Sequence, residues 1–345
     1  MSNYAQIMIG RKRSLLAILV SVAILAILAR KVDLRLGRVV EQMHSVRWSV
    51  LLATFAFSAA WHIFVGSDKW RRILRALGAD VPYGEVLRVR LGSDPIRFAT
   101  PFKLGEVVNA VYFGRLEPLG FSRAAGSIAF DKAMNFFGTL FWLYVGVVAM
   151  SAIPTAGHIV LHTCMGAAIL VLISVRALRE FLRKVASRVH PKIGRLAAGV
   201  LAAFEEFSFA RKIGFLAYGV VFQIRPLVIC YLLFVAFGTS RMPSMQEFLA
   251  FGSMAVLMAN VPLTVAGFGP REATIIALFG AYASAATLLS VGVLMSFSIH
   301  VVPALIGIPF MFSLLRAVAG TAAIDTATPS MQAAADTTAA PRVDG

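Results

Sequence analysis

The chain has 345 residues, 59% of them apolar and 14% charged, with a mean hydropathy of +0.79. A soluble domain is about half apolar and a quarter charged, so a soluble globular enzyme is all but excluded. The 33 Lys and Arg against 17 Asp and Glu give a net charge of +16. In so apolar a chain that excess points to loops facing anionic lipid and not to a nucleic-acid surface.

A hydrocarbon core of about 30 Å needs roughly 20 mostly apolar helical residues. Five runs satisfy this: Ser14 to Ala29, Trp48 to Gly66, Ile128 to Ile153, Gly157 to Val175 and Ile213 to Gly238. Beyond Glu247 the chain stays apolar almost to Arg316. Its last part, residues 284–316 with Pro303 in the middle, reads either as one long kinked span or as a tight hairpin. The expected fold is therefore all-α, a polytopic membrane protein of about six to eight transmembrane helices.

Residues 1–13 read as a cytoplasmic N-terminus, residues 14–316 as the membrane domain, and the Ala/Thr/Asp-rich residues 317–345 as a disordered tail. Arg11-Lys12-Arg13 before the first run resembles a signal sequence. No small-residue cleavage site follows, so the run reads as an uncleaved span. Seven basic residues in 67–100 and nine in 176–212 make these the two richest connections, both assigned to the cytoplasm. The five in 30–48 then fall outside, a mild violation of the rule. Residues 176–212 read as a basic amphipathic segment on the inner leaflet, with a docking site for a partner as the alternative. Cys164 and Cys230 lie in apolar runs and imply neither a disulfide framework nor a zinc site.

Two stretches interrupt the apolar pattern with Gly, Pro and charge. One runs from Ser93 through Pro95, Arg97, Pro101, Lys103 and Gly105 to Glu106; the other from Ala259 through Pro262, Gly267, Gly269 and Pro270 to Arg271-Glu272. In each, the glutamate is followed by six residues and then Phe-Gly: Phe113-Gly114 and Phe279-Gly280. The pattern reads as two re-entrant or broken helices of a degenerate internal repeat, chance similarity being the alternative. Irregular backbone at membrane depth survives only when buried in protein or lining a wet cavity, and paired breaks are a pointer to a transporter's binding site. Glu106 and Glu272 serve either to stabilise a helix N-terminus or to hold Lys103 and Arg271 toward a cavity.

Arg225 lies near the middle of the fifth run, where a charge costs at least about 2.5–3.5 kcal/mol and must face protein or water. The third run carries Asp131-Lys132 and, on the face of Asp131, Asn135. Two readings remain: a structural pair between an acid and Arg225, or a cationic pocket for an anionic headgroup built from Arg225, Arg271 and Lys132 and oriented by Asp131, Glu106 and Glu272. His62 and His300 read as helix–helix hydrogen-bonding residues outside the site. No phosphate loop, His-Glu-x-x-His, metal-type Cys/His cluster or Gly-x-Ser-x-Gly occurs, so no catalytic residue, cofactor or metal is expected.

Arg97-Phe98-Ala99-Thr100-Pro101-Phe102-Lys103-Leu104-Gly105-Glu106, then Asp131-Lys132-Ala133-Met134-Asn135, then Pro262 through Gly267-Phe268-Gly269-Pro270-Arg271-Glu272 resemble the flippase-like transmembrane region of lysylphosphatidylglycerol synthases. The resemblance covers roughly residues 10–316. It departs from the family's pattern at Asp131-Lys132 for Glu-Arg, Asn135 for Asp, Phe102-Lys103 for a Gly-Arg-like pair and Ala266-Gly267 for Gly-Gly. It implies an inner-membrane helical fold with re-entrant helices and a role in moving lipids across the bilayer. Lysyl transfer is not expected, because the synthases carry it on a soluble domain that would not fit in this length.

The resulting site combines Arg225, Arg271, Glu272, Glu106, Lys103, Asp131, Lys132, Arg97 and Asn135 as lipid-headgroup ligands. The expected partners are membrane lipids (an anionic phospholipid, an isoprenoid or a glycolipid), with a lipid-biosynthesis enzyme or a second copy as further candidates, and no nucleic acid. A non-catalytic partner of such an enzyme and a membrane-embedded lipid-modifying transferase are the alternative functions.

Overall fold

A computed structural model of the chain describes residues 46–100, 105–117, 119–150, 180–181, 184–185, 201, 204–260 and 268–318. The expected spans at Ser14 to Ala29 and Gly157 to Val175, most of the basic 176–212 segment and residues 319–345 lie outside the described residues.

The elements follow in chain order as α1 (Trp48–Ala76), α2 (Tyr83–Ala99), α3 (Gly105–Phe113), α4 (Gly120–Met150), α5 (Phe209–Phe222), α6 (Ile224–Ala236), α7 (Met245–Ala259), α8 (Pro270–Phe279) and α9 (Ala285–Ser296). A π turn (Phe297–Val301) joins α9 to α10, residues 302–318. The chain is an all-helical polytopic membrane protein. Four of its described helices are long and apolar enough to cross a bilayer: Trp48–Ala76, Gly120–Met150, Phe209–Ala236 and Ala285–Val318. Residues 284–316 are thus one kinked span and not a hairpin. Two boundaries differ from the apolar windows. The helix of the second run continues ten residues past Gly66 to Ala76, and that of the third begins at Gly120 instead of Ile128. The charges that ended those windows lie inside the helices and are satisfied by neighbours, which a hydropathy average cannot see.

Local chemistry sets the joints. Ser244 opens α7 with a capping box: its hydroxyl accepts from the Glu247 N–H, and the Glu247 carboxylate accepts from the Ser244 N–H. Ser208 and Ser284 cap α5 and α9 in the simpler way. Pro226, without an N–H, interrupts the ladder at Gln223 and divides the 28-residue span Phe209–Ala236.

The described elements fall into two units of the same design: a long span, a broken hairpin, and a second long span. The first comprises α1, the α2–α3 hairpin and α4; the second comprises α5–α6, the α7–α8 hairpin and α9–α10. Each hairpin is closed at its mouth by a Glu–Tyr hydrogen bond, Tyr112 to Glu85 at 2.9 Å in the first and Tyr282 to Glu247 in the second. Arms of 17 and 15 residues, about 22–26 Å long, fall short of a crossing.

The two units are inverted relative to each other. At one face, Arg71 donates to the Val81 carbonyl, Arg115 to the carbonyls of Ala317 and Val318, and Arg123 pairs with Glu206. At the other, the Arg47 N–H donates to Ala236 O at 2.8 Å, and Gly146 lies against Ala250 and Gln246. The first hairpin therefore opens from the face where α1 ends, and the second from the face where α6 ends. Each hairpin packs on the last span of the other unit: Gly92 and Leu91 of α2 meet Phe310 and Gly307 of α10, while Ala250 of α7 meets Gly146 of α4. The first spans, α1 and α5–α6, run antiparallel with their middles in contact. Two apolar clusters flank that middle, one around Trp70, Phe113, Phe130 and Phe215, the other around Phe234, Phe248 and Phe279.

Candidate functional site

The polar residues of the membrane interior gather in one network along α1, α2, α4 and α6 and in a smaller cluster at the start of α8. On α1, Ser58, His62, Gly66 and Lys69 recur at helical spacing and line one face. On α2, Arg90, Asp94 and Arg97 do the same. These stripes face each other and the polar positions of α4 and α6.

Nearest the basic face, Lys69 Nζ pairs with Asp131 Oδ1 at 2.7 Å and also donates to Asn135, whose amide donates to Asp131 Oδ2 at 3.3 Å. Lys69 is fully buried and lies 4.7 Å from the centre of the Phe222 ring. Arg90 approaches the same ring at 6.0 Å and fits because Gly66 has no side chain there. Asp131, Asp94, Arg97 and Glu106 surround Arg90 electrostatically, yet its buried Nε meets no acceptor.

At mid-depth, Asp94 accepts from Arg97 and from His62 Nε2 at 2.7 Å. His62 Nδ1 meets Arg225 Nη1 at 3.1 Å. The partners assign the tautomer: an ionised Asp94 only accepts, so Nε2 carries the proton and Nδ1 receives the Arg225 N–H. Arg225 also donates to Ser58 Oγ at 3.2 Å and to the Ile299 carbonyl at 3.1 Å. That carbonyl lies in the π turn, whose wide ladder presents backbone acceptors to side chains. Beside it, Ser58 Oγ donates to Ser298 O at 2.7 Å.

At the second break, Arg271 Nη1 donates to Ser296 Oγ at 2.6 Å, and Ser296 Oγ donates to Glu272 Oε1 at 2.8 Å. Glu272 Oε2 accepts from the Gly269 N–H, where a φ of +100° requires glycine. Glu272 thus caps α8 and, through Ser296, ties it to α9. We expect Ser296→Ala, which leaves both Arg271 Nη1 and Glu272 Oε1 short of a partner, to cost about 1–3 kcal/mol. Thermal denaturation in micelles, followed by size-exclusion retention, checks this.

Of the nine residues expected from the sequence, Arg97, Glu106, Asp131, Lys132, Asn135 and Arg225 belong to one network. Arg271 and Glu272 form a separate cluster with Ser296. Lys103 lies outside the described residues. Glu106 pairs with Lys132 at 2.7 Å across α3 and α4. One pairing differs from expectation: among the described residues Arg225 touches no carboxylate directly and reaches Asp94 through His62. The sequence reading missed Lys69, Arg90 and Asp94 and set His62 aside. The signal is present as the polar stripes at helical spacing on α1 and α2, hidden because the end of α1 and most of α2 share one basic stretch, 67–100.

A family model described as the lysylphosphatidylglycerol synthase TM region matches residues 14–307. No curated protein matches the chain.

Proposed function

Because the chain belongs to the family of the lysylphosphatidylglycerol synthase transmembrane region, and so is a multi-pass membrane protein related to lipid metabolism, we propose that it moves lipid headgroups across the bilayer. The observation that carries this reading is the line of buried charged and hydrogen-bonding side chains from Lys69 and Asp131 through Asp94, His62 and Arg225. It lies between two hairpins that enter from opposite faces. Inverted repeats with broken helices meeting near mid-membrane are the architecture of alternating-access carriers. The lipid tails would stay in the bilayer while the headgroup exchanges water for Arg, Lys and Ser donors. Its lateral point of entry in this reading is the Lys132–Glu106 pair between α3 and α4, the least buried ion pair of the network.

Arg71, Arg72, Arg75, Arg115, Arg123, Arg211, Lys212 and Arg316 gather at one face, against Arg47 and Arg241 at the other. That asymmetry supports reading the first face as cytoplasmic in a bacterial-type inner membrane. Leaflet exchange of tail-labelled anionic, zwitterionic and glycosylated lipids in liposomes tests the function. The wild-type protein is expected to speed exchange of some headgroups and not others, and Arg225→Gln to slow it at least about tenfold. Exchange no faster than in protein-free liposomes, with folded protein, overturns the reading.

A further inference from the structure

We infer that the buried network around Arg90 binds a phosphate-type dianion, a phosphomonoester or diphosphate, in preference to a zwitterionic headgroup; this deepens the proposed function and rests on it for the lipid as source. Among the described residues of the network, each carboxylate is matched by one cation: Asp131 by Lys69, Asp94 by Arg97 and Glu106 by Lys132. Arg90 and Arg225 remain, and His62 is neutral in the tautomer its partners assign. The network therefore carries two positive charges more than its carboxylates neutralise. Both guanidinium groups are at least nine-tenths buried. An unneutralised charge there is expensive, and a bound anion relieves the cost.

The two arginines differ in what they have free. Arg225 spends its donors on Ser58, His62 and the Ile299 carbonyl, so it acts as a fixed charge. Arg90 makes no ion pair among the described residues, its Nε is buried without an acceptor, the face of Phe222 lies against it, and Asp131, Asp94 and Glu106 act on it only from beyond ion-pair distance. A guanidinium with idle donors is suited to grip two phosphate oxygens at once. Arg97 and Lys132, the more open members, extend the same surface outward from Arg90.

The test is binding by the full chain in neutral detergent, read as thermal protection and apparent affinity. Phosphatidic acid, phosphatidylglycerol and phosphatidylcholine are compared with inorganic phosphate and pyrophosphate. Protection is expected to fall in the order phosphatidic acid, phosphatidylglycerol, phosphatidylcholine. Arg90→Gln should weaken phosphatidic acid binding at least about tenfold, while the ligand-free variant melts no lower than wild type because a lone buried charge is gone. Arg241→Gln at the opposite face should change neither. Equal protection by inorganic phosphate supports the anion site and assigns a free phosphate as its source. Equal protection by phosphatidic acid and phosphatidylcholine, or undiminished binding by Arg90→Gln, overturns the inference. Arg90-dependent binding without leaflet exchange would sink the transport reading alone, and exchange that ignores headgroup charge would sink this one alone.

Discussion

Asp131→Ala is expected to destabilise the protein by about 3–5 kcal/mol, because it strands Lys69 as a charge with no carboxylate in a fully buried position. The loss is larger than the pair's own worth. Two charges held at 2.7 Å roughly repay their desolvation, whereas one alone pays it without return. The companion variant separates these terms. Lys69→Met with Asp131→Leu removes both charges, keeps the volume, and should recover most of the stability. Apparent unfolding midpoints in micelles for Lys69→Met, Asp131→Leu and the double variant complete the cycle. If Asp131→Ala alone matches wild type, Lys69 is not held by this pair.

A second large effect is expected at Gly307. A Cβ built there would stand 2.1 Å from the Leu91 carbonyl and 2.8 Å from Pro95 Cδ. Pro95 cannot donate a helical hydrogen bond to Leu91 O, so that oxygen is free to press against the bare backbone of α10. Gly307→Val must push the first hairpin off the last span, at the top of the about 1–3 kcal/mol range for overpacking or beyond it. Gly84→Ala, where nothing lies within 4 Å, is expected to be neutral or slightly stabilising in the same assay. A shift at Gly84 as large as at Gly307 would show that helix contact is not the cause.

The broken hairpins were legible in the sequence because Pro and Gly mark the interruptions and the Phe-Gly ends mark the return. Arg225 was legible because a lone charge stands out against an apolar run. Lys69 and Arg90 were not, for the opposite reason: they sit among Arg71, Arg72, Arg75 and Arg88, which occupy the end of the same helix or its neighbour. Separating buried cations from surface cations within one basic stretch needs the direction of each side chain. The face of α1 that carries Ser58 and His62 supplies that direction only once it is known to continue past Gly66. Pairing was the least legible part. Glu106 on α3 meets Lys132 on another helix, 26 residues on, because α3 packs against α4.

The inversion of the two units also bears on the order in which the protein is made. Beyond Arg211 and Lys212 at its opening, the span Phe209–Ala236 carries a single charge, Arg225. Its contacts on α1, His62 and Ser58, lie 163 and 167 residues earlier in the chain. Nearly all the remaining members of the interior network belong to the first unit and can satisfy one another without the second. A ribosome therefore delivers a first half whose interior charges, Arg90 excepted, are already paired, followed by a span whose one costly residue finds its acceptors waiting in the bilayer. The first half is the template on which the second is threaded.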